Sequence, residues 1–317
     1  MIEQEEGVIK EFDAYLYGLI VRTNAFLLCN NFPEADTYNE LREKHIFPGG
    51  ETGTAATILA SLGLSVKIDG NHGGYNTADT LKNYYNKIGV DISAIYFDPN
   101  YEGLEDYIII DKNTRTIFGM FETYFRDCYE KNIIRWNTPS EKDIIKAKVA
   151  GIDTYFGEQS LIAAKYCSKH NVPFVTIDTK PNNDICNLAS IIVVSSEYIK
   201  DKLPNYYSDN GKANLIKEFA KETNALIILT GGNGNIFFGR NGEVNVFPAY
   251  KVETISTLGA GDTFKASCIY GLLQSWEDTQ IVKFAAGCAA IACTRFPLIF
   301  NSPKVDEVNN FIGASNI

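Results

Sequence analysis

The residues best suited to chemistry lie late in the chain, in Ser256-Thr257-Leu258-Gly259-Ala260-Gly261-Asp262-Thr263-Phe264. The segment follows a β-rich stretch and opens a helix whose apolar residues Phe264, Cys268 and Leu272 recur at helical spacing. Gly259, Ala260 and Gly261 carry little or no side chain, so a ligand can approach their backbone closely. Amides near a helix N-terminus form a concavity suited to anionic oxygen. Asp262 beside it is placed to take a proton from an alcohol. That is general-base catalysis of phosphoryl transfer, with the helix end stabilising the transferred group. The plainer alternative is a glycine-rich turn with Asp262 as a helix cap.

An earlier turn, Phe47-Pro48-Gly49-Gly50-Glu51-Thr52-Gly53-Thr54-Ala55-Ala56, leads into Leu59-Ala60-Ser61-Leu62-Gly63 and reads as a tight turn before a buried helix. Thr230-Gly231-Gly232-Asn233-Gly234 ends an apolar strand and by itself is a hairpin turn. Asp153 ends the strand Val149 to Ile152, at the edge where α/β sheets bind ligands. It is expected to hydrogen-bond a substrate, to cap a helix or to lie in a solvated loop. Arg115 opens a hairpin strand and either reaches over a substrate or is a surface charge. Glu51, a first-turn acid, is explained by the helix dipole alone.

Strand-like and helical segments alternate around these residues. Strands are expected at Ala14 to Val21, Ser65 to Ile68, Ala147 to Ile152, Pro173 to Ile177, Ile191 to Val194 and Ala225 to Thr230. Helices are expected at Glu51 to Leu62, Ala78 to Ile88, Gln159 to Lys169 and Gly211 to Thr223, with two more from Gly261 and Glu277. This order implies an α/β fold, a three-layer α/β/α sandwich on a mostly parallel central sheet. Tyr107 to Ile110 and Arg115 to Phe118 instead form a hairpin about Asp111-Lys112-Asn113. With the irregular Phe26 to Pro48, it predicts a small β appendage inserted into one main domain.

The 317 residues, 45% hydrophobic and 21% charged, suffice for a core without metal or disulfide staples. A net charge of −10 repels nucleic acid and anionic membranes, so neither is expected as a partner. Seven cysteines without a C-x-x-C pair read as buried free thiols, and three scattered histidines give no zinc pattern. The acidic Met1 to Glu6 is followed by no apolar run of spanning or signal length, so a cytoplasmic protein is expected.

The segment around Asp262 resembles the C-terminal signature of the ribokinase-like, or phosphofructokinase-B, family of carbohydrate kinases, usually D-T-x-G-A-G-D-x-F. The turn at Gly49-Gly50 resembles its N-terminal G-G-x-x-x-N-x-A…L-G element. The resemblance runs from about residue 14 to 312 and makes 1–317 one kinase domain, its lid inserted from about 26–47 and 98–126. It implies Asp262 as catalytic base, with Gly259, Ala260 and Gly261 forming the anion hole. It implies Asn24, Gly49, Gly50, Thr54 and Asp153 near the substrate. Ser195, Glu197, Thr230, Gly232, Gly234, Ala286 and Ala289 would border ATP, with Glu197 near Mg2+.

Several positions depart from the pattern. Thr54 replaces the Asn after the double glycine, and Val193-Val194-Ser195-Ser196-Glu197 lacks the Asn of N-x-x-E. Ser256 replaces the first Asp of the late signature, a position that in ribokinase helps hold a monovalent cation. Potassium dependence is therefore left open. The implied substrate is the hydroxyl of a small sugar or sugar acid. Two alternatives stay open: a nucleoside kinase whose base stacks on Phe118, Phe121 or Tyr124, and a catalytically weak ligand-binding relative. A homodimer through the lid is the partner that the resemblance implies.

Overall fold

Runs of Val, Ile, Leu and aromatic residues with no polar face must be buried on both sides, and here they become the inner strands of a sheet. The computed structural model describes residues 9–111, 114–232 and 234–315. In chain order the first elements are β1 (Phe12–Gly18), β2 (Val21–Leu28), β3 (Leu41–Gly49), α1 (Glu51–Ser61), β4 (Val66–Gly70), β5 (Gly73–Gly74), α2 (Ala78–Ile88) and β6 (Phe97–Asp98). Then come β7 (Glu105–Ile110), β8 (Arg115–Gly119), α3 (Phe121–Glu130), α4 (Glu141–Ile144), β9 (Ala147–Ile152), α5 (Glu158–Lys169), β10 (Phe174–Ile177) and β11 (Ile191–Val194). The last are α6 (Ser196–Lys202), α7 (Asp209–Phe219), β12 (Leu226–Leu229), β13 (Asn235–Gly239), β14 (Asn245–Pro248), α8 (Ala260–Leu273), α9 (Asp278–Cys293) and α10 (Val305–Ala314).

The main sheet has eight strands in the order β14-β13-β12-β11-β10-β9-β1-β4. It is parallel from β12 to β4, and β13 and β14 add an antiparallel end. Two apolar clusters lie on its opposite faces. One holds α1, α8 and α9 against Leu16, Val149 and Val175. The other holds α5 and α7 against Tyr15, Ala150 and Phe174. The fold is thus the expected α/β sandwich. No helix among the described residues is long and apolar enough to cross a membrane.

A second sheet of four strands, in the order β3-β2-β7-β8, is the lid. The expected first strand, Ala14 to Val21, is in fact split. Gly18 ends β1, and Val21 already belongs to β2, which leaves the main sheet. The stretch expected to be irregular, Phe26 to Pro48, is mostly strand, because β2 and β3 pair from Val21↔Gly49 to Leu28↔Leu41. Its prolines conceal this in the sequence. Pro48 is tolerated because β3 is an edge strand. At the far end, residues 121–126 are not lid but the start of α3, whose Tyr124 and Cys128 pack into the main body. Lys112 and Asn113 of the expected turn, Asn233 and Met1 to Glu6 lie outside the described residues.

Asp153 follows β9 and is fully buried. Its carboxylate accepts from Leu19 N–H (3.0 Å) and the Thr52 hydroxyl (2.8 Å), and it is ion-paired with Lys265 of α8. Lys265 is 1% exposed. Burial alone would lower its pKa, but the carboxylates of Asp153 and Glu51 outweigh that and hold it above its ordinary value. One carboxylate therefore fixes the exit of β1, the start of α1 and the first turns of α8 relative to one another. A Cβ on Gly18 would lie 2.0 Å from Asp153 Oδ2, so only glycine leaves room for this junction.

Removing one partner of a buried ion pair strands the other charge. Lys265→Met is expected to lower stability by about 3–5 kcal/mol. Lys265→Met combined with Asp153→Asn should recover part of that loss. Urea denaturation of the two variants checks this, and additive losses would show that the pair is not coupled.

Candidate active site

The carboxyl ends of the parallel strands converge on one edge of the main sheet, where such sheets carry ligands. Between that edge and the lid lies a cavity of about 490 Å³. Leu19, Gly49, Gly50 and Thr54 line one part of it, and Ile177, Asp178, Ser195 and Glu197 another. Thr23, Asp106, Ile108 and Ile117 come from the lid, and Ser256 to Gly259, Gly261 and Asp262 from the late loop.

Two glycines hold this geometry through their backbone. Gly50 has φ +81°, and a Cβ there would meet Leu19 O at 2.5 Å. Gly259 has φ +78° and is the N-cap of α8, without a side-chain cap. Asp262 is therefore not the cap that the plainer alternative supposes. A Cβ on Gly259 would approach Thr54 Cγ2 to 3.4 Å, so the two glycine turns, distant in sequence, are adjacent in space. Gly261 differs, because a Cβ there would meet nothing within 4 Å. Its missing side chain leaves open space on the cavity wall. The hydrogen-bonded ladder of α8 starts with Thr263 N–H to Gly259 O (2.9 Å), so the amides of Gly261 and Asp262 precede it. Ala260 N–H turns back to Thr257 O (3.3 Å), and Ala260 does not line the cavity.

Acids dominate the lining. Enclosure pushes Asp262 up to about 7; Lys265 and Arg115 pull it down, and Asp153 and Asp178 push it further up. Burial raises Glu51 well above the carboxylate range, and the Asp153 charge adds to this. Tyr155 OH donates to Glu51 Oε1 at 2.5 Å, while Oε2 has no partner among the described residues. Asp178 adopts φ +48° and accepts from Ser195 N–H (2.7 Å) and Ser195 OH (3.0 Å). Burial raises its pKa, and the Ser195 bonds pull it back in part. Arg115 spans from lid to body. Its guanidinium donates to the Thr257 hydroxyl (2.8 Å) and to both oxygens of Glu197 (2.9 and 3.0 Å).

Gly49, Gly50, Thr54, Ser195, Glu197, Gly259, Gly261 and Asp262 thus share one cavity. Asn24 and Asp153 do not line it. Strand pleating turns Thr23 inward and Asn24 to the opposite face, where its amide donates to Glu105 and to Asp106 O (both 3.2 Å). Asp153 is committed to Lys265, Thr52 and Leu19, neither touching the cavity nor capping a helix. Thr230, Gly232 and Gly234 lie beyond the lining but beside it, since Thr230 N–H bonds Val194 O (3.0 Å). Ala286 is turned into the core, and Ala289 is partly buried against it. Of the three aromatics, only Phe121 lines the cavity; Phe118 is half-exposed, and Tyr124 is buried with its ring tilted against Trp136.

Asp106, Asp178, Thr23 and Lys265 escape a sequence reading. Asp178 had a signal, since it ends a strand as Asp153 does. So did Lys265, a lone cation in the apolar run of α8. No group of three or more His, Cys, Asp or Glu among the described residues is set to hold a metal by itself. Asp178 and Glu197 offer oxygen donors of the kind Mg2+ takes with water and phosphate, here bonded to Ser195 and Arg115.

A family model described as pfkB family carbohydrate kinase matches residues 16–305. A 5-dehydro-2-deoxygluconokinase from Bacillus anthracis is 27% identical over 170 residues, 49% of this chain and 51% of that relative, so the chain spans about half the length of the curated relatives it matches. A putative ribokinase structure from Agrobacterium tumefaciens superposes with a TM-score of 0.82 at 17% identity, covering 95% of this chain and 97% of that one. A putative ribokinase II from E. coli in complex with ATP and Mg2+ superposes with a TM-score of 0.74 at 16% identity, covering 96% and 99%. At these identities the superpositions show a shared fold.

Arg115→Ala is expected to raise amide hydrogen exchange across β8 by roughly two- to fivefold, the scale of one partly exposed ion pair, with the main sheet unchanged. Unchanged exchange in β8 would mean that this contact does not hold the lid.

Proposed function

The chain belongs to the pfkB family of carbohydrate kinases, and on that premise we propose that it transfers the γ-phosphoryl group of ATP to a hydroxyl of a small sugar or sugar acid. One observation carries this: Asp262, the unfilled space over Gly261 and the Gly49-Gly50 turn line a single cavity. The acceptor lies under the lid beside Gly49 and Gly50. Asp262 takes its hydroxyl proton as the oxygen bonds to the γ-phosphorus and the bond to the bridging oxygen breaks, releasing ADP. The first-turn amides at Gly261 and Asp262, with Arg115, face the developing charge. Magnesium held near Asp178 and Glu197 would neutralise the phosphates. The rest of the nucleotide extends past Ser195 toward Thr230, Gly232 and Gly234. Contacts of Leu258 and Phe296 with the inner face of the lid support exclusion of water during transfer. The opposite face half-exposes Ile46, Tyr107 and Phe118, an apolar surface suited to a second copy of the chain.

Asp262→Asn is expected to keep the fold and lower kcat by at least about a hundredfold. Near-normal turnover would remove Asp262 from the role. The base must be ionised, so kcat/KM should rise with pH through about 7, and this limb should vanish in Asp262→Asn. Gly261→Ala adds a methyl to the open wall of a helix end. Its thermal stability should be unchanged or slightly higher, while ATP affinity falls by roughly tenfold on calorimetric titration. Unchanged affinity would place the phosphates elsewhere.

A further inference from the structure

Asp106 sits on the inner face of the lid and is 6% exposed, yet its Oδ1 has no partner among the described residues. Its β7 position pairs in register with Thr23 of β2. Thr23 in turn rests on the double-glycine turn, since a Cβ on Gly49 would lie 2.0 Å from its hydroxyl oxygen. Asp106 is therefore on the wall of the part of the cavity assigned above to the acceptor, and its unpaired oxygen is buried behind that wall. A buried, unsatisfied acceptor is costly and persists where a ligand satisfies it. Burial pushes Asp106 up to about 6, and the Thr23 hydroxyl beside it pulls it part of the way back. Glu51, next to Gly50, has a second unpartnered oxygen on the same wall.

The charge balance narrows the ligand. The cavity lining holds six carboxyl side chains, Glu51, Asp106, Asp178, Glu197, Asp201 and Asp262, against one cation, Arg115. Arg115 is engaged by Glu197 and Thr257. Lys265 lies behind the wall and serves Asp153. Among the described residues, an acceptor carboxylate would thus meet the Asp106 carboxylate and no cation that is not already engaged. Sugar hydroxyls, which donate, would satisfy both orphan oxygens.

Taking the kinase reading above as its basis, we propose that Asp106 is the residue that selects the acceptor. It receives a hydrogen bond from a hydroxyl of a neutral sugar and, through its own charge, turns away sugar acids.

The test compares matched acceptors, such as ribose with ribonate and glucose with gluconate, in a panel of neutral pentoses and hexoses and their carboxylates. ATP turnover and calorimetric sugar binding are measured for the wild type, Asp106→Asn and Asp262→Asn. The expected wild type prefers a neutral sugar over its acid by at least about a hundredfold, the scale of a buried unpaired charge. Asp106→Asn should fold as well as the wild type, raise KM for the neutral sugar by about tenfold with kcat nearly kept, and narrow the preference. Equal or better use of sugar acids, no binding by any neutral sugar, or an unchanged KM in Asp106→Asn would overturn the assignment. Binding of neutral sugars that depends on Asp106 but brings no ATP turnover with any acceptor would uphold the subsite and sink the kinase reading. Turnover that favours acids would do the reverse.

Discussion

A lysine ammonium and an aspartate carboxylate, both withdrawn from water, join the parts of the molecule that would otherwise meet only through apolar packing. Lys265 lies one turn after Asp262 on α8, so whatever fixes the lysine also fixes the face that presents the aspartate. Asp153 receives it on Oδ1 at the end of β9 and binds the corner after β1 and the start of α1 through Oδ2. Attraction between such charges is strong where water cannot screen it, and equally costly when one is removed. Apolar contacts alone would let α8 slide along the sheet. A directional ion pair, its carboxylate also held by Leu19 and Thr52, does not.

The same pair sets the electrostatics of the cavity. Desolvation favours the protonated form of Asp262, and Lys265 offsets this without entering the cavity. The balance leaves the carboxyl near neutrality, a suitable range for a group that must both lose and take a proton. The other acids are held for different ends: Asp178 orients Ser195 in an uncommon backbone conformation, and Glu197 anchors the arginine of the lid. A concentration of like charge on this scale is costly in an empty cavity. It is relieved by ligands that bring donors or cations, namely hydroxyl groups on one side and a phosphate-bound divalent ion on the other.

Superposition with solved ribokinase structures at 16–17% identity shows how little of this fold depends on particular residues. Strand ends, helix starts and glycine turns are set by backbone geometry more than by side-chain identity. The lid is less constrained. Its strands need only an apolar inner face toward Leu258 and Phe296, so a polar residue can enter that face where a ligand will meet it. Thr23 and Asp106 do so.

Local patterning by itself determined the sandwich, the parallel strands and the two glycine turns, because burial on both faces, helix periodicity and missing side chains are properties of short segments. Gly259 to Asp262 and Gly49-Gly50 were legible for the same reason. The lid strands were not, since Pro48, Pro33 and the asparagines at 30–31 mimic a loop unless an edge position is known to tolerate them. Asn24 and Thr23 differ by a single step of the pleat, and only the pairing of β2 with β3 and β7 decides which faces the cavity. Tertiary structure alone gave Asp153 to Lys265, and brought Asp106 beside Thr23. Each depends on contacts between segments that are far apart in the chain, and charge pairing across such distances leaves no periodicity for a sequence to display.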